Sequence, residues 1–349
     1  MLNRLAALAL LSVAGCFAGE KSWDARTAAA YLDGRAAWWS TWATASRDHA
    51  TFCVSCHTAV PYALSRPALR GALGENSPGE AELALTANVA KRVSLWNEVG
   101  PFYPSSASAP DRTAESRATE AILNALILVS SGGPPESIQA AYRNLWATQI
   151  QEGSNRGSFQ WLDFHNRPWE ADDSRYYGSA LAAVAAGMRN ESDREKISAL
   201  SDYLKRDFDR QSLANKTVVL WAASQLPDLL TPHQKLDLIH DLAKVQQADG
   251  GWSLTALIGT WKRRDGTELE TASDGYATGL VSYAMRRAGV KRSDDSLARA
   301  LKWLNNNQAP SDGRWIAYSL NKKRDLNSDI GRFMSDAATG YAVMALTAK

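Results

Sequence analysis

The chain is poor in cysteine, with three in 349 residues. So few cannot build the disulfide frame of a small secreted domain, and a chain this long buries about three quarters of its unfolded surface without one. An excess of one charge is also missing. Lysine and arginine total 39 against 37 aspartate and glutamate, a net of +2. That excludes the basic surface a nucleic-acid partner requires. One apolar run, near the N-terminus, covers only about ten residues, too short for a mature membrane span. No stretch alternates apolar and polar residues long enough to read as a strand. The 45% hydrophobic and 22% charged fractions exclude a disordered chain and a collagen. Length alone suggests roughly two domains. What is plentiful is tryptophan, 13 residues.

Residues 1–15 read as a secretory signal: one arginine, then the apolar run. The run ends in Val13-Ala14-Gly15-Cys16, a lipobox pattern that makes Cys16 the lipidated first residue of a mature chain, 16–349. Cleavage a few residues later, discarding Cys16, is the plainer alternative. Either route predicts export to the periplasm. Phe17, rather than aspartate, after the lipidated position points to the outer membrane.

The other two cysteines form Cys53-Val54-Ser55-Cys56-His57. C-x-x-C-H is the attachment pattern of a c-type haem. Two thiols at that spacing reach both vinyl groups of one porphyrin, and His57 falls beneath the iron as proximal ligand. A dithiol redox pair would not demand the histidine, and a four-sulfur zinc site lacks its other two cysteines. The expected cofactor is one covalent haem c on Cys53, Cys56 and His57.

A repeat runs along the chain. Apolar, alanine-rich segments carry a hydroxyl anchor near their start, at Thr58, Thr119, Ser179, Thr217, Thr278 and Thr339, with intervals of 61, 60, 38, 61 and 61 residues. Apolar nearly all round, they suit helices enclosed by others. Between them lie amphipathic helical stretches near 24–45, 79–97, 135–150, 192–207, 232–247 and 294–307. Three of these lead into a Gln-Gly-Trp element: Gln247 to Trp252, Gln308 to Trp315, and Gln151 to Trp161. These elements resemble the QW motifs of the squalene-hopene cyclase and protein prenyltransferase superfamily. The resemblance covers most of the chain after residue 24. It implies an all-α fold, one (α/α)6 toroid of six inner and six outer helices around an apolar hollow, with the QW elements as structural clamps.

In such a ring the haem motif precedes the first inner helix and sits at one mouth of the hollow. His165, Asp172, Asp173, Asp274, Met334 and Asp336 share that rim. Met334 is then a candidate distal iron ligand, or simply a buried rim side chain. His165 is the next candidate, and an open distal position is a third. Glu170-Ala171-Asp172-Asp173 is similar to the Asp-x-Asp-Asp acid of the resembled cyclases, with glutamate in the first place. That likeness makes Asp172 a proton donor, with Asp173 and Glu170 beside it. The plainer reading is helix capping. Tyr62, Tyr177, Trp221, Tyr276, Tyr283 and Tyr341 line the hollow or pack its core. Prenyltransferase-type zinc ligands are absent from the pattern.

Three functions follow. The first is an exported haem protein that transfers electrons to a periplasmic redox partner or oxidises a hydrophobic, isoprenoid-like molecule beside the iron. The second is a cyclase-like isomerase or lyase using an aspartate acid. The third is a non-catalytic ligand-binding lipoprotein.

Overall fold

A computed structural model describes residues 22–104, 111–190 and 193–348. The signal segment and Cys16 lie outside the described residues. The chain folds as six helical hairpins, each an outer helix followed by an inner one. In chain order these are α1 (Ala25–Thr41) and α2 (Ala59–Leu73), α3 (Glu80–Ser94) and α4 (Thr113–Ser131), and α5 (Pro135–Ala147) and α6 (Ser174–Arg189). Then come α7 (Arg194–Asp207) and α8 (Leu213–Ala222), α9 (Pro232–Lys244), the short α10 (Leu254–Ile258) and α11 (Gly275–Arg287), and finally α12 (Asp295–Asn306) and α13 (Phe333–Thr347). Two short strands, β1 (Ser46–Arg47) and β2 (Thr51–Phe52), pair antiparallel just before the cysteine motif.

The sequence writes the difference between the two layers. On α13 every residue from Met334 to Leu346 is buried, whereas α9 buries only Leu238 and Leu242. Local signals start the outer helices. Thr231 caps α9 by accepting from the Gln234 N–H, Gln234 returns the bond, and Pro232 takes the first helical position. The inner helices pack neighbour to neighbour in the order α2, α4, α6, α8, α11, α13 and back to α2. Closure is tight: a Cβ on Gly340 of α13 would lie 2.6 Å from the Pro61 Cβ of α2. This is an (α/α)6 toroid.

Three clamps join successive outer helices. The Gln308 amide accepts from Asp24 N at 2.6 Å and donates to Asp24 O and Gly313 O, both at 2.9 Å. Gln149 and Gln246 repeat the pattern, donating to Gly157 O and Lys196 O and to Gly250 O and Ser296 O. The clamp glutamines are thus Gln149 and Gln246, not Gln151 and Gln247. Each loop then returns to an inner helix through a hydroxyl. Trp252 N donates to Thr278 and Trp315 N to Thr339, while Phe159 N reaches Ser179 and Leu162 N reaches Thr119. Four anchors of the sequence repeat are therefore acceptors for these loops.

Candidate active site at the mouth of the ring

All six inner helices begin at one end, so that end collects residues far apart in sequence. The cysteine motif is pinned there from three sides. Cys53 N donates to Ala45 O across the hairpin, Trp39 Nε1 donates to Cys53 O at 2.7 Å, and the Asn88 amide brackets the Phe52 peptide. Ser55, inside the motif, accepts from Thr58 N and Ala59 N at 3.1 Å and so caps α2.

His57 is packed among aromatic rings. Phe333 stacks on it at 3.9 Å, Trp39 meets it edge-on at 5.0 Å, and Trp169 lies at 5.8 Å. Burial, then the Arg35 charge, hold its imidazole down at about 3, so it is neutral. Its Nδ1 lies 2.9 Å from Thr58 Oγ1, and Thr58 donates to Asp336 at 2.7 Å. Tyr31 and Arg35 complete the buried Asp336 cage at 2.7 and 2.9 Å. With Thr58 donating to the carboxylate, its oxygen accepts from Nδ1–H, which leaves Nε2 with the lone pair.

Cys53 and Cys56 are both buried. Burial pushes each thiol up, Cys56 well up, and the Glu170 charge adds to Cys56. A redox dithiol needs the reverse shift. Near Cys56 are Tyr177, Tyr276 and Tyr341, whose hydroxyls burial above all holds neutral, with Cys56 adding to each. The Tyr276 and Tyr341 rings meet at 5.3 Å, and Trp169 Nε1 donates to Tyr276 at 3.2 Å. All three tyrosines are buried in the core. Tyr62 instead donates to Asp33, and Trp221 packs on Tyr283 at 5.3 Å.

Glu170 is the poised group. Burial pushes its carboxyl up to about 7, against an Asn166 hydrogen bond and the Arg112 charge that pull it down. Burial and then the Glu170 charge also raise Tyr103. Tyr103 meets Phe164 edge-on at 4.8 Å, and the Arg112 guanidinium lies over Phe164 at 4.9 Å. Glu170 is thus close enough to couple electrostatically to the Tyr103 phenol and to the Arg112 guanidinium, which is itself paired with Glu115 at 2.8 Å. Glu170 is the substituted first acid of the sequence pattern, whereas Tyr103 and Arg112 stand in no motif that sequence reasoning could find.

Its carboxylate neighbours sit differently from the cyclase pattern. Asp172 is exposed and accepts from Asp173 N at 3.1 Å. Asp173 stands before α6 without capping it, and pairs with Arg167 at 3.1 Å. Asp274 does cap α11, through Ala277 N, whereas Asp336 is held in the Arg35 cage. Met334 is buried in the first turn of α13, and its neighbour Phe333 is the residue that meets His57. His165 is exposed and packs on Trp261 at 5.5 Å.

No protein-family model matches the chain, and no curated protein matches it. Among solved structures it superposes on a polysaccharide lyase with a TM-score of 0.55 at 12% identity. The match covers 93% of this chain and 96% of that one. At this identity the likeness is one of fold. It corrects the expectation of a haem electron carrier or haem-dependent oxidase: the neighbour is a lyase, and the mouth offers acid–base groups. The expectation of a ready metal site is corrected with it, since no cluster of three or more His, Cys, Asp or Glu side chains able to hold a metal occurs among the described residues.

Proposed function

We propose that the chain is a lyase acting by general acid–base elimination at the mouth of the toroid. The support for this is a carboxyl, Glu170, that burial pushes up to about 7, with the Tyr103 phenol and the Arg112 guanidinium near enough to couple to its charge. A general base works best when its pKa lies near the working pH. Protonating an unactivated alkene, the cyclase alternative, needs a much stronger acid, and Asp172, the donor that likeness nominates, is exposed. Elimination is therefore favoured over cyclisation. Kinship with the squalene-hopene cyclase toroids is proposed on the three QW clamps alone.

In the proposed step ionised Glu170 takes a proton from a carbon beside a carboxyl group. The C–H electron pair becomes a carbon–carbon double bond, and the C–O bond on the next carbon breaks. The leaving oxygen takes the Tyr103 proton, and Glu170 returns its proton to the phenolate. Arg112, which shares its charge with Glu115 at 2.8 Å, would offset part of the charge that builds on the substrate carboxyl. A polyuronate has this arrangement of groups, and the structural neighbour is named for a polysaccharide.

The assay incubates the protein with a panel of uronate polymers and with polyprenols. It follows the ultraviolet absorbance of the conjugated double bond and, separately, cyclised hydrocarbon. Absorbance from a uronate polymer, lost in Glu170→Gln, is the expected result. Cyclised hydrocarbon lost in Asp172→Asn would overturn the reading in favour of the cyclase.

The cofactor is a separate proposal. Cys53 and Cys56 would hold a haem c through thioethers, with His57 Nε2 toward the iron. Support comes from two buried, free thiols three positions apart and from a neutral histidine whose Nδ1 is engaged with Thr58. Haem there would supply a rigid apolar plane, and the elimination draws on none of its redox chemistry. Protein made with haem-ligation machinery is expected to give a haem c pyridine haemochrome spectrum that Cys53→Ala/Cys56→Ala removes. A colourless product would contradict it.

A further inference from the structure

The first described residues lie in a corner with a marked charge. Ser22 lines a groove with Arg292, Leu301 and Lys302. Trp23 lines a cavity of about 670 Å³ with Tyr283, Arg287, Met344 and Leu346, built on the last turns of inner helices α11 and α13. This is the end of the inner ring opposite the mouth. Between residues 286 and 302 the sequence carries Arg286, Arg287, Lys291, Arg292, Arg299 and Lys302 against only Asp294 and Asp295. The whole chain nets only +2, so cationic charge is concentrated here. Arg286 is engaged with Ala345 O at 2.7 Å and Arg299 with Asp295 at 3.2 Å. Arg287, Lys291, Arg292 and Lys302 are exposed. Burial, then the Arg292 charge, lower Arg286, which is a sign of crowded cations.

We propose that this corner docks on an anionic lipid surface and turns the mouth of the ring away from it. Two features of the corner fit such a partner. Exposed arginine and lysine are drawn to anionic headgroups, and an apolar cavity edged by Trp23 and Tyr283 offers the amphipathic rings that settle at a membrane interface. The third argument is reach. Cys16, the residue the lipobox pattern assigns to a lipid anchor, stands six positions before Ser22. Six residues span at most about 20 Å when extended. An anchor that short would bring this corner, rather than the mouth, to the bilayer. Docking by charge does not depend on the proposed reaction.

The test is co-sedimentation of the full mature chain carrying Cys16→Ser, which removes the lipid and leaves only the surface. The probes are vesicles of phosphatidylcholine alone and vesicles containing phosphatidylglycerol. Binding is expected to the anionic vesicles and to weaken as salt rises. Arg287→Glu/Arg292→Glu/Lys302→Glu is expected to weaken it at least a hundredfold, since each cation at an anionic surface accounts for about fivefold. Lys205→Glu/Arg206→Glu, exposed on the last turn of α7, is expected to change affinity less than twofold. Failure of the parent chain to bind, equal binding by the corner variant, or an equal loss from the α7 variant would each overturn the proposal.

Discussion

Glu170 carries a stability cost that its place at the mouth explains. Its folded value of about 7 lies above the ordinary 4.5, so the unfolded chain gives up this proton first. Stability from this group is complete below about pH 4.5 and is lost as pH rises toward 7. The full shift corresponds to about 3 kcal/mol, and screening at its part-exposed edge brings that to about 2 kcal/mol. Glu170→Gln cannot ionise. It is expected to match the parent in urea unfolding at pH 4 and to be about 2 kcal/mol more stable at pH 8.5. The same variant is expected to lose at least about a hundredfold in kcat on a uronate substrate. A carboxyl with only a structural role would shift stability and leave turnover alone. At this scale the sequence was partly legible. The cysteine motif and Glu170 are visible in the chain, because each stands in a short, spaced pattern. Tyr103 and Arg112 are not, because only folding brings these two side chains near Glu170.

Helices meet in this ring through glycines, and the clamps show where that matters. Gly313 has φ of 78°, and a Cβ there would stand 2.4 Å from the Thr27 backbone of α1. Gly157 and Gly250 face α7 and α12 in the same way, at 1.9 and 2.8 Å. Gly74, after α2, has a similar φ of 70° but nothing within 4 Å. Gly74→Ala is therefore expected to cost about 1 kcal/mol, from the left-handed backbone alone. Gly313→Ala adds a collision with backbone and is expected to cost at least about 3 kcal/mol, both read from urea midpoints. Similar losses from the two variants would contradict the clamp account. The repeat itself was readable because hydroxyl anchors such as Thr278 and Thr339 recur at a fixed place on the inner helices. Gln308 is the glutamine the sequence pattern marks, whereas Gln149 and Gln246 lie two and one positions before the glutamines it marks. What is fixed physically is an amide bridging two carbonyls, and the loop from glutamine to glycine differs in length among the three.

Closure makes the ring one mechanical unit. The last clamp ties Gln308 to Asp24, and α13 packs on α2, so neither end of the described chain can peel away alone. Tryptophan fluorescence and helical circular dichroism are expected to trace one coincident urea transition. Two separated transitions would show a ring that opens. Topology also made the location of the site legible, since inner helices that start at one end must gather His57, Glu170 and Asp336 there. Its chemistry was not legible, because a carboxyl's proton affinity depends on burial that only packing creates. The direct measurement is therefore a carbon-13 NMR titration of the Glu170 carboxyl, assigned by difference from Glu170→Gln. A midpoint near 7 is the expected result, and a midpoint in the ordinary carboxylate range near 4.5 would contradict the account.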